Sequence, residues 1–386
     1  MTNLIFSVKY YLPIAEIHTF VARENQIILF TTVMNKYLLF VSHSYAYSIL
    51  RPIQDEIWRR GDDVAWFIED TSPVFLKENE KQLKTIGEVI DYNPRAVFVP
   101  GNHVYDFFPG IKVEVFHGFD INKRPGRGDH YATKGWFDLY CTQGKKDTVG
   151  FQKLSEKLGY FAVRQTGWAK TDSFFDQSGQ IFQTYNKRPV ILYSSTFTKW
   201  ITSAPFLYDE IHRLIQKRDW DWLITLHPKM NEETVTLYKE LEKYENVTFY
   251  NGGNNTKLLK QADVMVCDSS SIIVEFLFFH KPVVTYKNTS PGNHLINIED
   301  SSLLESSIEK ALSPSDELLQ HIKEYTDEMH PYRDGKSSAR ILDAVDDFEK
   351  NCKGKLKKKP LNLFRKLKLR KKTHYFPFGS YHSPKK

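Results

Sequence analysis

An α/β fold of two Rossmann-like domains facing across a cleft, with C-terminal helices and a basic tail, follows from three observations in the 386-residue sequence. Short apolar runs alternate with longer amphipathic ones in both halves, the rhythm of strands and helices in a parallel sheet. The rhythm breaks and restarts near residues 172–188, so the halves read as separate units. Three polar knots of the second half, Ser194–Thr196, His227-Pro228 and Asp268–Ser271, each follow a predicted strand. In such sheets ligands sit beyond the carboxyl ends of the strands, so the knots converge on one crevice.

In chain order, residues 1–33 show no regular unit, and Met34 reads as the natural start with an extension or accessory arm upstream. Tyr37–Val41 is a buried strand, Ala46–Arg60 a helix stopped by Gly61, and Val64–Ile68 the next strand. Ala96–Val99, Val113–Phe116 and Asp138–Thr142 read as short strands, Lys145–Leu158 as a helix and Tyr160–Gln165 as a return to the sheet. The second half gives strands at Val190–Tyr193, Trp222–Leu226, Val247–Tyr250, Val264–Cys267 and Val283–Tyr286, with helices at Pro205–Gln216 and Glu232–Tyr244. From Ser302 the pattern is helical, broken at His330-Pro331 and Asp334-Gly335. The expected divisions are therefore 1–33, 34–180, 181–350 and a tail over 351–386.

Asp268-Ser269-Ser270-Ser271 stands between a strand and an apolar helix-length run. Serine is a favoured N-cap, and free N–H groups and hydroxyls beyond a strand also seat phosphate, so capping and phosphate binding both fit. His117 and His227 follow strands in different halves, where one could deprotonate a hydroxyl while the other holds or protonates a phosphate. His43 and His103 also follow strands, so position alone does not single out that pair.

Several chemistries are disfavoured. The sequence has no GxxxxGK[ST] loop, no GxGxxG opening a helix, no HExxH and no GxSxG elbow. Its three cysteines, Cys141, Cys267 and Cys352, form neither a metal spacing nor a disulfide framework, which suits a reducing cytoplasm. No apolar stretch is long enough for a spanning helix. The net charge of +6 divides unevenly: residues 351–386 hold 13 Lys and Arg and no acid, leaving 40 basic against 47 acidic groups in residues 1–350. A mildly acidic body argues against nucleic-acid binding.

The ordered motifs resemble those of the CDP-glycerol glycerophosphotransferase family, whose members build teichoic acids and related capsule or O-antigen polymers. His117-Gly118 with Lys123 resembles its HG…K loop, and Gly167–Asp172 its GxPRxD element. Tyr193–Phe197 stands at its YxPT segment, His227-Pro228 at its HP pair, Asp268–Ser271 at its D-x-SS element and Gly335–Arg340 at its DGKASxR run. The similarity covers about residues 90–345, with Ser195 for Pro, Thr198 for Arg and Ala169-Lys170 for Pro-Arg as departures.

The resemblance implies a glycosyltransferase-B-like fold, with an acceptor-side first domain and a nucleotide-donor second domain. It implies transfer of glycerol phosphate from CDP-glycerol to a lipid-linked glycan or polyol-phosphate acceptor, with CMP leaving. His117 would activate the acceptor hydroxyl and His227 would bind or protonate the donor pyrophosphate. Thr196, Asp268, Ser269, Ser270 and Ser271 would contact the donor, and Gly118, Lys123 and Lys170 the acceptor or phosphate. No tightly bound cofactor and no metal site are expected; use of Mg2+ is compatible with the sequence but not indicated by it. The basic tail, with Leu361, Leu363, Phe364 and Leu367 on one side of a helical wheel and Leu369 off it, would attach residues 353–386 to an anionic leaflet at the cytoplasmic face. A nucleotide-sugar glycosyltransferase or UDP-sugar 2-epimerase of the same architecture, and a non-catalytic membrane-associated scaffold, are the alternatives.

Overall fold

The computed structural model describes residues 34–70, 72–119, 129–175, 187–250 and 256–376, and the backbone of 18–23 and 26–31. Within the segment read as irregular, β1 (His18–Arg23) and β2 (Gln26–Thr31) form an antiparallel hairpin. Lys123 and its neighbours in the basic loop lie outside the described residues, as do residues 377–386.

The first sheet contains β3 (Lys36–Val41), β4 (Asp63–Ile68), β5 (Ala96–Val99), β6 (Ile111–Glu114), β7 (Leu139–Thr142) and β8 (Ala162–Gln165). It is parallel throughout, in the order β4-β3-β5-β6-β7-β8. Its strands are apolar on both faces because helices cover both: Leu38 and Phe40 enter one buried cluster, Leu39 and Val41 another. The covering helices are α1 (Ala46–Arg59), α2 (Ile86–Tyr92) and α3 (Lys145–Leu158). Thr85 starts α2 with a capping box: its hydroxyl accepts from the Glu88 N–H while the Glu88 carboxylate accepts from the Thr85 N–H.

The second sheet contains β9 (Val190–Ser195), β10 (Asp221–Leu226), β11 (Val247–Tyr250), β12 (Val264–Cys267), β13 (Val283–Tyr286) and β14 (Ile296–Ile298). It is also parallel, in the order β11-β10-β9-β12-β13-β14. That order reverses direction between β9 and β12, and the crevice outside their carboxyl ends is where such sheets bind ligands. In this domain lie α4 (Ala204–Lys217), α5 (Glu232–Lys239), α6 (Thr256–Gln261), α7 (Ile272–Leu277) and α8 (Leu304–Leu312).

After α9 (Asp316–Met329), helix α10 (Ser337–Asn351) crosses back and packs on α1. Asp343 pairs with Arg60 at 2.8 Å, Asp346 with Arg95 at 2.6 Å, and Asp347 with Arg164. Residues 337–350, assigned by sequence to the second domain, thus pack on the first. The domains also meet along an apolar seam, where Phe119 packs on Phe278 and Phe174 on Phe279. One continuous buried cluster holds residues of both halves.

The tail carries α11 (Leu363–Thr373), docked on the first domain. Arg370 grips Asp106 with its two terminal guanidinium nitrogens, at 3.1 and 3.3 Å, and Phe107 lies against Tyr375. Leu369, the residue off the apolar side of the wheel, is the one packed against the protein, whereas Phe364 is 91% exposed.

A candidate active site between the two domains

The donor-side floor is built at the β9/β12 crevice. Asp268 is fully buried and accepts from Ser195 Oγ at 2.7 Å, from the Thr196 and Ser203 N–H groups at 3.0 Å each, and from Ser203 Oγ at 3.3 Å. These bonds fold the loop after β9 onto the end of β12. Ser269 is equally buried and accepts from the Thr289 N–H at 2.9 Å. Asp268 and Ser269, expected as donor contacts, therefore point into the protein and shape the floor. Thr196 is buried as well, its N–H committed to Asp268.

Ser270 and Ser271 are half-buried. Ser271 stands at the N-cap of α7, yet its hydroxyl makes no capping bond, contrary to the capping expectation; backbone groups close the turn instead. It faces the first domain, since a Cβ added to Gly118 would lie 3.7 Å from Ser271 Oγ. The HG element and the serine knot, 153 residues apart in sequence, are thus juxtaposed across the cleft.

His227 follows β10 and is exposed beside the same floor. Its Nδ1 accepts from the Lys229 N–H at 3.0 Å, and its ring lies 4.3 Å from that of Phe197. A backbone donor on Nδ1 puts the proton of the neutral ring on Nε2, which makes Nε2–H a donor suited to a phosphate oxygen.

His117 follows β6 after Phe116, whose left-handed φ of 57° turns the chain sharply. Trp168 Nε1 holds that turn by donating to the Phe116 carbonyl at 3.1 Å. The His117 ring is open to solvent on one side but otherwise enclosed, and this desolvation, helped by nearby His130 and His43, lowers its pKa. The Pro100 backbone beside the ring opposes that shift only in part. Lowering the pKa favours the neutral ring, whose unprotonated nitrogen is the acceptor a general base requires.

Other motif residues are structural. Lys170 pairs with Glu275 of α7 at 2.6 Å, bridging the domains. Asp172 accepts from the N–H groups of Ser337 and Ser338 at the start of α10, so the GxPRxD-like and DGKASxR-like elements bind each other. His330 accepts from the Trp168 N–H at 2.9 Å and donates from Nδ1 to the Tyr332 carbonyl. Gly167 is required here: its φ is +82°, and a Cβ would meet Ser337 Oγ at 2.6 Å and His330 Nε2 at 2.7 Å.

Residues not singled out by the sequence also stand beyond the carboxyl ends of strands in both sheets. The Tyr45 ring lies between those of His43 and His117, at 5.3 and 5.4 Å. Glu69, after β4, accepts from Tyr105 OH at 2.8 Å and contacts His103 Nε2 at 3.0 Å. Trp200, on the loop that Asp268 anchors, is 80% exposed. Only their positions just after predicted strands hinted at Tyr45 and Glu69.

Likeness to known proteins follows the same architecture. The model of the UDP-N-acetylglucosamine 2-epimerase family matches residues 203–346. A teichoic acid glycerol-phosphate primase of Bacillus subtilis (strain 168) is 25% identical over 229 residues, 54% of this chain and 58% of that protein. The chain thus spans less than two thirds of that relative's length. Among solved structures, the wall teichoic acid polymerase TagF is similar with a TM-score of 0.58 and 12% identity, over 83% of this chain and 90% of that one. The UDP complex of MnaA from S. aureus is similar with a TM-score of 0.57 and 15% identity, over 82% and 97%. A UDP-N-acetylglucosamine 2-epimerase structure from Listeria monocytogenes is similar with a TM-score of 0.56 and 13% identity, over 83% and 98%. These likenesses show a glycosyltransferase-B-like fold, and the primase match agrees with the family resemblance carried by the motifs.

Proposed function

We propose that this protein transfers glycerol phosphate from CDP-glycerol to a hydroxyl of a lipid-linked glycan or polyol-phosphate acceptor, releasing CMP, in the synthesis of a cell-surface polymer. The apposition of Gly118 and Ser271 supports the reading, because the HG element of one domain adjoins the serine knot of the other there. His117, in its neutral form, takes the proton of the acceptor hydroxyl as that oxygen attacks the β-phosphorus of the donor. His227 donates from Nε2 to the donor pyrophosphate, and the hydroxyls of Ser270 and Ser271 hold its oxygens as the bond to CMP breaks. Phosphoryl transfer needs mainly in-line geometry and stabilised charge on the phosphoryl oxygens, which these groups supply.

The acceptor's lipid places the reaction at a membrane surface. The docked basic tail suits that location, for Phe364, Leu363 and Leu367 project outward among lysines and arginines with no acid nearby in sequence. Among the described residues no helix is long and apolar enough to cross a membrane.

The epimerase family match to residues 203–346 favours a second reading, a 2-epimerase acting on a UDP-sugar. Mass spectrometry of products separates the two. A glycerol-phosphate adduct of a lipid-linked disaccharide, formed from CDP-glycerol, supports the transferase; a UDP-sugar converted to its 2-epimer supports the alternative.

A further inference from the structure

A cavity of about 490 Å³ opens on the first domain where the chain leaves α10. Ile111, the first residue of β6, and Asp138, just before β7, contribute to its wall. The cavity therefore sits at the amino ends of these strands, whereas His117 follows the carboxyl end of β6. It is a site separate from the cleft.

Its lining is strongly cationic. Lys112, Lys353, Lys357 and Lys359 converge there, with Asp138 the acid among the lining residues. Lys112 Nζ donates to the carbonyls of Phe108 and Gly110, at 2.5 and 2.8 Å. Lys359 Nζ pairs with Asp138 at 2.6 Å and donates to the Trp136 carbonyl at 2.8 Å. An ammonium carries three N–H donors, so each of these two keeps one for a ligand. The Lys357 stem packs on Gly159, which a Cβ would bring to 2.9 Å from its Cδ. Ile111 and Phe348 contribute apolar surface to the lining. Burial lowers the Lys112 pKa to about 8, with Asp138 opposing the shift and Lys359 adding to it.

We propose that this cavity binds a phosphate mono- or diester, its oxygens on Lys112, Lys357 and Lys359 and its carbon part against Ile111 and Phe348. Lysines are point-charge ligands for phosphate, and the volume suits a small ester rather than a polymer. The ligand is either a soluble phosphate or the headgroup of an anionic glycerolipid. The second source fits the position, because Leu361, 73% exposed, lies two residues beyond Lys359 at the root of the basic tail. The site does not depend on the reaction proposed for the cleft.

The test uses the full-length protein with two probes in parallel: inorganic phosphate, and dihexanoyl phosphatidylglycerol kept below its micellar concentration. Either probe should raise the melting temperature, and Lys357→Glu should weaken its binding at least about tenfold. Lys357 is exposed, so that variant should keep the wild-type circular dichroism. Ser270→Ala, in the cleft, should leave the effect intact. A response to the lipid alone identifies a headgroup site; a response to both identifies a general phosphate site. Acylation of Lys112 near pH 8, read by mass spectrometry, should slow when a bound anion holds the amine protonated. No thermal response to either probe, a response unchanged in Lys357→Glu, or Lys112 acylation indifferent to saturating probe overturns the proposal.

Discussion

The carboxylate of Asp172 accepts hydrogen bonds from the backbone N–H groups of Ser337 and Ser338, at 2.8 and 2.7 Å. A first-domain loop thereby caps the helix that crosses back from the second domain. Those N–H groups have no partner within the helix, and Ser337 and Ser338 are themselves buried. Asp172→Ala should cost roughly 2–4 kcal/mol in urea denaturation, more than an exposed cap, because buried donors are left unpaired. Asp172→Asn, which keeps one acceptor, should recover part of the loss.

The buried and accessible members of the serine knot should separate in behaviour. Asp268→Ala strands the Ser195 hydroxyl and the N–H groups of Thr196 and Ser203, and should destabilise the fold by about 3–5 kcal/mol. Ser270→Ala should change stability by less than about 0.5 kcal/mol and instead raise the donor KM. Chemical denaturation and steady-state kinetics on the two variants check this division.

Stability should depend on His330 in acid. Burial, reinforced by Arg333, lowers its pKa to about 4 in the folded protein, against 6.5 for a free histidine. Between these values the unfolded chain binds a proton that the folded chain does not. Its contribution is therefore full above about pH 6.5 and is lost as pH falls toward 4, by roughly 3 kcal/mol in all. His330→Gln should flatten that part of the pH–stability curve while lowering stability at neutral pH.

Catalysis should follow the His117 protonation state. Because desolvation lowers its pKa, the acid limb of the kcat/KM profile should lie below the usual histidine value of 6.5. Activity should thus persist at pH values where an exposed histidine is already charged. A limb at or above the usual value would assign the base to another group.

Membrane attachment should reside in the outward face of α11. Phe364→Ser combined with Leu367→Ser removes exposed apolar groups without touching Arg370 or its Asp106 partner. The double variant should sediment less with phosphatidylglycerol vesicles and keep its turnover of a soluble acceptor analogue.

Local signals in the sequence carried the sheets. Lys145–Leu158, Ala96–Val99 and Val283–Tyr286 are read at the boundaries they adopt, because each is bounded by clear changes in apolar period. Helix α2 was missed although Thr85 and Glu88 spell its capping box, since Ile86–Tyr92 is too short for a visible period. The role of Asp268 was not legible, because a ligand-facing and an inward carboxylate look alike until partners 65 to 73 residues away are known. The same holds for α10, whose acids meet Arg95 from 251 and 254 residues away.

The most direct measurement is CMP release from CDP-glycerol by the purified protein with a lipid-linked acceptor, compared with its His117→Ala and His227→Ala variants. The account predicts acceptor-dependent CMP release that falls by a factor on the order of 100 or more in each variant. Near-normal turnover in either variant, or turnover of a UDP-sugar in place of CDP-glycerol, would contradict it.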